Sequence, residues 1–265
     1  MLRRDYFVVQ ELVWNADFRR AFLRDPQAAV RARFPDVDRL ERFTPAQFPG
    51  VEEAAYYRIA SVCRSMKEVF PRGHHLMSAF GGLAFVECLL ANYLDAPAPT
   101  DAVYELFDGY ILGPEVLRCA SAYSWPGDNG WIVNVLEYEW AAWHSRRVAR
   151  GWRSLVPRCG RFAEGVFLLH ARFDLPALLA DVDRMIAASA PEEVLRWRVR
   201  PLTTVNWRAA VFPSGDQIAE VELGEETFDQ LAELAQDPEL ETTPEFTQAF
   251  TQIGLLVAYA ATASA

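Results

Sequence analysis

The stretch Trp131–Arg147 reads WIVNVLEYEWAAWHSRR, a helix that carries three tryptophans and one charge out of place. At about 100° per residue, Ile132, Val135, Leu136, Trp140 and Trp143 share one face, and Glu139 falls in the middle of it. A carboxylate among tryptophans is costly unless it is hydrogen-bonded or paired. Glu139 is therefore expected to meet an arginine or backbone donors from another element. That pattern favours a structural ion pair over a catalytic carboxylate. The helix is expected to be central, with other helices packed on its aromatic face.

Upstream, the chain reads as helical. Residues 5–24 form a first amphipathic stretch, and Asp25-Pro26 marks a new helix start, with Asp as cap and Pro at the first helical position. Glu52–Phe70 is a strong helix stopped by Pro71-Arg72-Gly73. Leu76–Leu94 is a helix broken or bent at Gly81-Gly82, and Val103–Leu117 is a helix broken at Gly113-Pro114. After Arg150 the character changes. Val166–Phe173 reads as a strand, Leu175–Ala190 as a helix capped by Asp174, and Pro201–Phe212 and Ile218–Leu223 as strands joined at Pro213–Asp216. Helices Glu226–Gln236 and Thr243–Thr251 and a short strand, Gly254–Tyr259, complete the chain. The fold class is α+β: an N-terminal helical extension over 1–50, a helical domain over 51–160 and a winged-helix-like domain over 161–265.

The 265 residues are 51% hydrophobic and 23% charged, the balance of a soluble globular protein. No apolar run reaches the length of a membrane span, and the first residues lack the apolar core of a signal peptide. Cys63, Cys88, Cys119 and Cys159 are far apart with no CxxC, which fits free thiols in the cytoplasm. The net charge is −10, and it is unevenly spread: residues 1–42 hold nine arginines, whereas from Gly215 onward there are eleven acids and no Lys, Arg or His. Such an end repels a polyanion.

Motifs of chemistry are missing. The chain has no Gly-rich phosphate loop, no GxSxG, no HExxH and no Cys/His dyad signature. His74 and His75 are adjacent and lack a third ligand at a familiar spacing, and His144, beside Trp143, is the best of four scattered histidines for a site. No metal or cofactor is expected in this chain, and a non-catalytic, binding role is expected over that of a stand-alone enzyme.

The order of short motifs from Tyr57 onward resembles a known family. Tyr57-Arg58 opening a helix, Val69–Pro71 (VFP), Phe85, Tyr93-Leu94 before a proline-rich turn, and Leu136–His144 (LEYEWAAWH) are similar to the helical domain once labelled DNA-binding. That family includes partner subunits of multinuclear non-haem iron, TIM-barrel enzymes that modify ribosomally made peptides, as in methanobactin and 3-thiaglutamate biosynthesis. The extension before Gly50 leans toward the longer, 3-thiaglutamate type. The resemblance implies that the iron belongs to the partner oxygenase, which oxidises a peptide cysteine. This chain would then dock on the barrel and hold the precursor peptide.

In that reading Glu139, Trp140, Trp143 and His144 serve structure or the partner interface, and Trp207, Val211, Ile218, Val221 and Leu223 on the hairpin are the peptide-binding candidates. An extended peptide adds to a strand edge through backbone hydrogen bonds. A proline at Val221 is expected to weaken peptide binding if the Val221 donor faces that edge. Two alternatives stand beside this one. DNA binding is opposed by the acidic C-terminal stretch and the lack of a basic recognition helix. A stand-alone metal-independent enzyme is opposed by the missing catalytic constellation.

Overall fold

The computed structural model describes residues 8–9, 11–13, 15–37, 40–48, 50–51, 53, 63–82, 85, 89, 112–127, 129–152, 160–188, 202 and 204–257. It is an α+β protein. Contacts define two compact units: Met1–Glu68 with Val86–Glu115, and Val69–Phe85 with Val116–Ala265. The helix of Trp131–Arg147 and the C-terminal sheet fall in the same one of these units.

In the first unit, helices α1 (Ala16–Arg24) and α2 (Pro26–Arg33) meet at Asp25. The Asp25 carboxylate accepts the Ala28 N–H at 3.0 Å with Pro26 at the first helical position, the start that the sequence announces. The single helix expected over 5–24 is instead interrupted at Asn15, which has extended backbone and accepts the Phe18 N–H at 2.9 Å as a second cap. An Asn side chain that can satisfy a helix-start donor competes with helix continuation. Val8, Leu12, Phe18, Phe22, Val30 and Phe43 pack into the core of this unit.

The second unit begins with a short helix, α3 (Gly73–Leu76), that widens into a π-helical turn over Met77–Gly81 and ends at Gly82, whose φ is +58°. The expected break or bend at Gly81-Gly82 coincides with this helix end. Among the described residues Gly113 and Pro114 are the second and third residues of α4 (Leu112–Ala122), which continues past them; residues 103–111 lie outside the described residues. Residues 54–62, 93–94 and 96–100, which the sequence reading used for a helix, a motif and a linker, lie outside the described residues.

The long helix α5 (Ile132–Ala149) has every residue from Glu139 to Ser145 buried, so its middle is enclosed on all sides. Strands β1 (Phe167–Phe173), β2 (Thr204–Ser214) and β3 (Gln217–Glu222) form one antiparallel sheet in the order β1-β2-β3. Helix α6 (Leu175–Ala188) follows β1, started by Asp174 accepting the Ala177 N–H at 2.9 Å. Two-residue pairing closes the hairpin, Ser214 opposite Gln217, with Gly215 at φ +61°. Pro213 therefore belongs to β2 and not to the turn.

The sheet is covered on both faces. Trp207 lies 6.5 Å from the Tyr138 ring of α5, and Phe167 lies 5.2 Å from the His144 ring. On the opposite face, Ala210, Phe212 and Leu223 pack with Leu231 and Leu234 of α7 (Glu225–Gln236) and with Leu255 and Leu256 beyond α8 (Pro244–Gln252). Double coverage explains why Ala209, Ala210, Val211 and Phe212 are consecutive and all buried, breaking the two-residue alternation of a half-solvated strand. The expectation that helices cover α5 is corrected accordingly: the sheet supplies much of its cover. The terminal strand expected at Gly254–Tyr259 is a single bridge, Phe162 opposite Leu256, with residues 258–259 outside the described residues. The N–H groups of Leu255 and Leu256 both return to the Phe250 carbonyl, so the helix end takes the donors that a ladder would need.

Candidate functional site

Glu139 is 3% exposed and is held by the turn that stops the preceding helix. Its Oε1 accepts the Arg72 N–H at 2.8 Å and its Oε2 accepts the Gly73 N–H at 2.8 Å. The Arg72 guanidinium approaches Oε1 at 3.5 Å and makes a two-pronged pair with Asp183 of α6, both contacts at 2.7 Å. The partner expected from the sequence is thus both an arginine and backbone. Burial pushes the Glu139 carboxyl up to about 7, opposed by the Gly73 and Arg72 N–H groups and the Arg72 charge. Asp183, through its hydrogen bond, raises the Arg72 guanidinium above its usual range. The close approach depends on Gly73: a Cβ there would lie 2.3 Å from Leu136 Cδ2 and 3.1 Å from Glu139 Oε2. The arrangement ties α3, α5 and α6 together around a carboxylate that solvent does not reach.

Further along α5, Trp140 and Trp143 stack at 5.5 Å and are buried, and His144 is fully buried between the Trp140 and Phe167 rings. Burial pushes the His144 imidazole down to about 4, which keeps it neutral at pH 7. These three side chains are internal. The exposed ring at this end of the helix is Trp152, with Arg147 lying between it at 3.9 Å and Trp143 at 5.1 Å.

Among the described residues β3 pairs with β2 alone, so it is an edge strand. Leu223 N–H donates to the Arg208 carbonyl at 2.9 Å. Alternation along an antiparallel ladder then turns the amides of Val221 and Ala219 toward β2, and those of Ile218, Glu220 and Glu222 outward. The condition attached to a proline at Val221 is not met, because its donor belongs to the hairpin ladder. The outward donor at the middle of the strand is Glu220. Its side chain is anchored as well: Tyr138 O–H donates to Glu220 Oε2 at 2.9 Å. Burial, and then this bond, pushes the Tyr138 hydroxyl up to about 12.

Of the candidate peptide-binding residues, Trp207, Val211 and Leu223 are core side chains. Ile218 and Val221 are half-buried and lie on opposite faces of the sheet: Ile218 with Trp207 and Val211 on the α5 side, Val221 with Leu223 on the α7 side. The structure does not bring the five side chains to one surface. What they share is the strand pair whose outer backbone meets no further strand among the described residues. The sequence reading missed Arg72, Asp183, Tyr138 and Glu220. Arg72 was visible only as part of a helix stop, and Asp183 lies 111 residues from it. Among the described residues no group of three or more His, Cys, Asp and Glu is placed to hold a metal ion, and no helix is long and apolar enough to cross a membrane. Cys63 and Cys119 are free thiols; Cys88 and Cys159 lie outside the described residues. No protein-family model matches this chain, and no curated protein is significantly similar to it.

Proposed function

We propose that this protein is a recognition subunit that binds a ribosomal precursor peptide by strand addition and docks on a TIM-barrel non-haem iron oxygenase, which oxidises a peptide cysteine in 3-thiaglutamate-type biosynthesis. The observation that carries the peptide half is the outer edge of β3, with the amides of Ile218, Glu220 and Glu222 directed away from β2. An edge strand of this kind is a template for another extended chain. A three-stranded sheet followed by two helices, α7 and α8, supports a winged-helix-like description of this region. The oxygenase half rests on the resemblance of Leu136–His144 and the associated motifs. The chain itself supplies no iron and no catalytic residue in this reading. The work of Glu139, Trp140, Trp143 and His144 is to hold α5 rigid behind the sheet, and the cell compartment is the cytoplasm.

The test is co-purification with a TIM-barrel non-haem iron oxygenase co-expressed with this chain, followed by anisotropy titration of that enzyme's precursor peptide. Glu220→Pro removes an outward donor and places a ring against the incoming strand. It should weaken peptide binding roughly tenfold or more, an effect of about 1.4 kcal/mol or above. Glu220→Ala keeps the outward amide donor while losing the Tyr138 contact and the carboxylate, so it should lose less affinity than Glu220→Pro, and oxygenase docking should be the same for both. A chain that neither co-purifies with the enzyme nor binds the peptide refutes the proposal.

A further inference from the structure

The two faces of the β3 edge differ in chemistry, and the difference specifies what kind of strand fits beside it. Residues with outward amides, Ile218, Glu220 and Glu222, place their side chains on the α5 face, because they oppose Pro213, Val211 and Ala209. Glu220 and Glu222 are exposed there. Ala219 and Val221 oppose Phe212 and Ala210, and they pack half-buried at the margin of the α7-side core. An added strand, parallel or antiparallel, shares this alternation: residues opposite even positions lie on the α5 face and their neighbours on the α7 face.

Resting on the strand-addition reading above, we infer that the occupant is an extended peptide that alternates basic and apolar residues, with Lys or Arg opposite Glu220 and Glu222 and aliphatic side chains beside Ala219 and Val221. Charge complementarity commits the site to this class. Among the described residues the nearby arginines are already engaged: Arg208 pairs with Glu225 at 2.8 Å on the α7 face, and Arg72 pairs with Asp183 and Glu139. Glu220 Oε2 takes the Tyr138 hydroxyl, which fixes the carboxylate on the α5 face and leaves Oε1 for an incoming cation. An acidic peptide would set like charges opposite each other across the pair, which is destabilising.

The probes are three fluorophore-labelled octapeptides, with Val and Lys alternating, with Val and Glu alternating, and with the same Val and Lys content in two blocks. The full chain should bind the alternating Val/Lys peptide roughly tenfold tighter than either of the others, an advantage that shrinks at high salt. The double change Glu220→Gln with Glu222→Gln should cut that advantage by roughly two- to tenfold while circular dichroism stays that of wild type. Equal binding of the Val/Glu peptide, with both peptides lost in Glu220→Pro, overturns the charge inference and leaves strand addition standing. Val/Lys binding that survives Glu220→Pro, or that the block peptide matches, places the contact elsewhere and overturns both. Failure of all three peptides to bind, beside a precursor peptide that does bind and is lost in Glu220→Pro, overturns the charge inference alone.

Discussion

Removing the Glu139 carboxylate tests the packing of the second unit most directly. Glu139→Ala leaves the N–H groups of Arg72 and Gly73 without the acceptor each has at 2.8 Å, and it strips Arg72 of one of its two carboxylate partners. A buried donor left unmade costs roughly 1–3 kcal/mol, so two such donors cost about 2–6 kcal/mol. Truncation leaves a small void beside Leu136, while release of a carboxyl that burial disfavours offsets part of the loss. Breaking one side of a buried pair costs about 3–5 kcal/mol, the middle of that range. In a unit of this size the melting temperature should fall by roughly 6–20 °C. Glu139→Gln keeps one acceptor but points an amide N–H at the second donor, and should fall between wild type and Glu139→Ala. Differential scanning calorimetry at pH 7.5 decides it. A Glu139→Ala melting temperature within about 2 °C of wild type would show that the two N–H groups find other partners, and the account of this turn would fail.

Gly73→Ala drives a Cβ to 2.3 Å from Leu136 Cδ2, so it should cost about 1–3 kcal/mol in urea unfolding; Leu136→Ala in the same chain should restore part of that through a non-additive double-mutant cycle. Two opposite pH dependences are hidden in the wild type. His144, pushed down to about 4, binds its proton later in the folded than in the unfolded state, so stability falls as pH drops from 6.5 toward 4. Glu139, pushed up to about 7, keeps its proton longer in the folded state, so stability falls as pH rises from 4.5 toward 7. Between pH 4.5 and 6.5 the two offset, and urea titrations across that window should show Glu139→Gln gaining stability with rising pH, by up to about 1.4 kcal/mol per unit, and His144→Gln losing it. A flat profile in both variants would contradict the burial of these two groups. The net charge of −10 predicts no appreciable duplex DNA affinity at physiological salt, and a submicromolar, sequence-dependent anisotropy signal would favour the DNA-binding alternative.

Local chemistry was legible in the sequence wherever one residue and its near neighbours settle the matter. Asp25 and Asp174 cap helices because an acceptor three residues before an orphan amide has one obvious use. Gly215 permits the tight hairpin, and Glu139 among tryptophans announced a buried partner before any partner was known. Asn15 follows the same rule and was passed over because the apolar spacing on either side of it continued.

Distant pairings were decided only by the tertiary structure. Arg72 and Glu139 are 67 residues apart, and nothing in local spacing selects that arginine from the others. The sheet, not other helices, covers much of α5, because buried β2 hides its alternation by packing both faces. The direction of each β3 amide depends on register: one residue of slip would put the Val221 amide at the edge in place of Glu220, and hydropathy along the strand does not report it. Sequence carried what a side chain does to its own backbone. The fold alone decided what it meets across the chain, since that follows from which surfaces close together and exclude water.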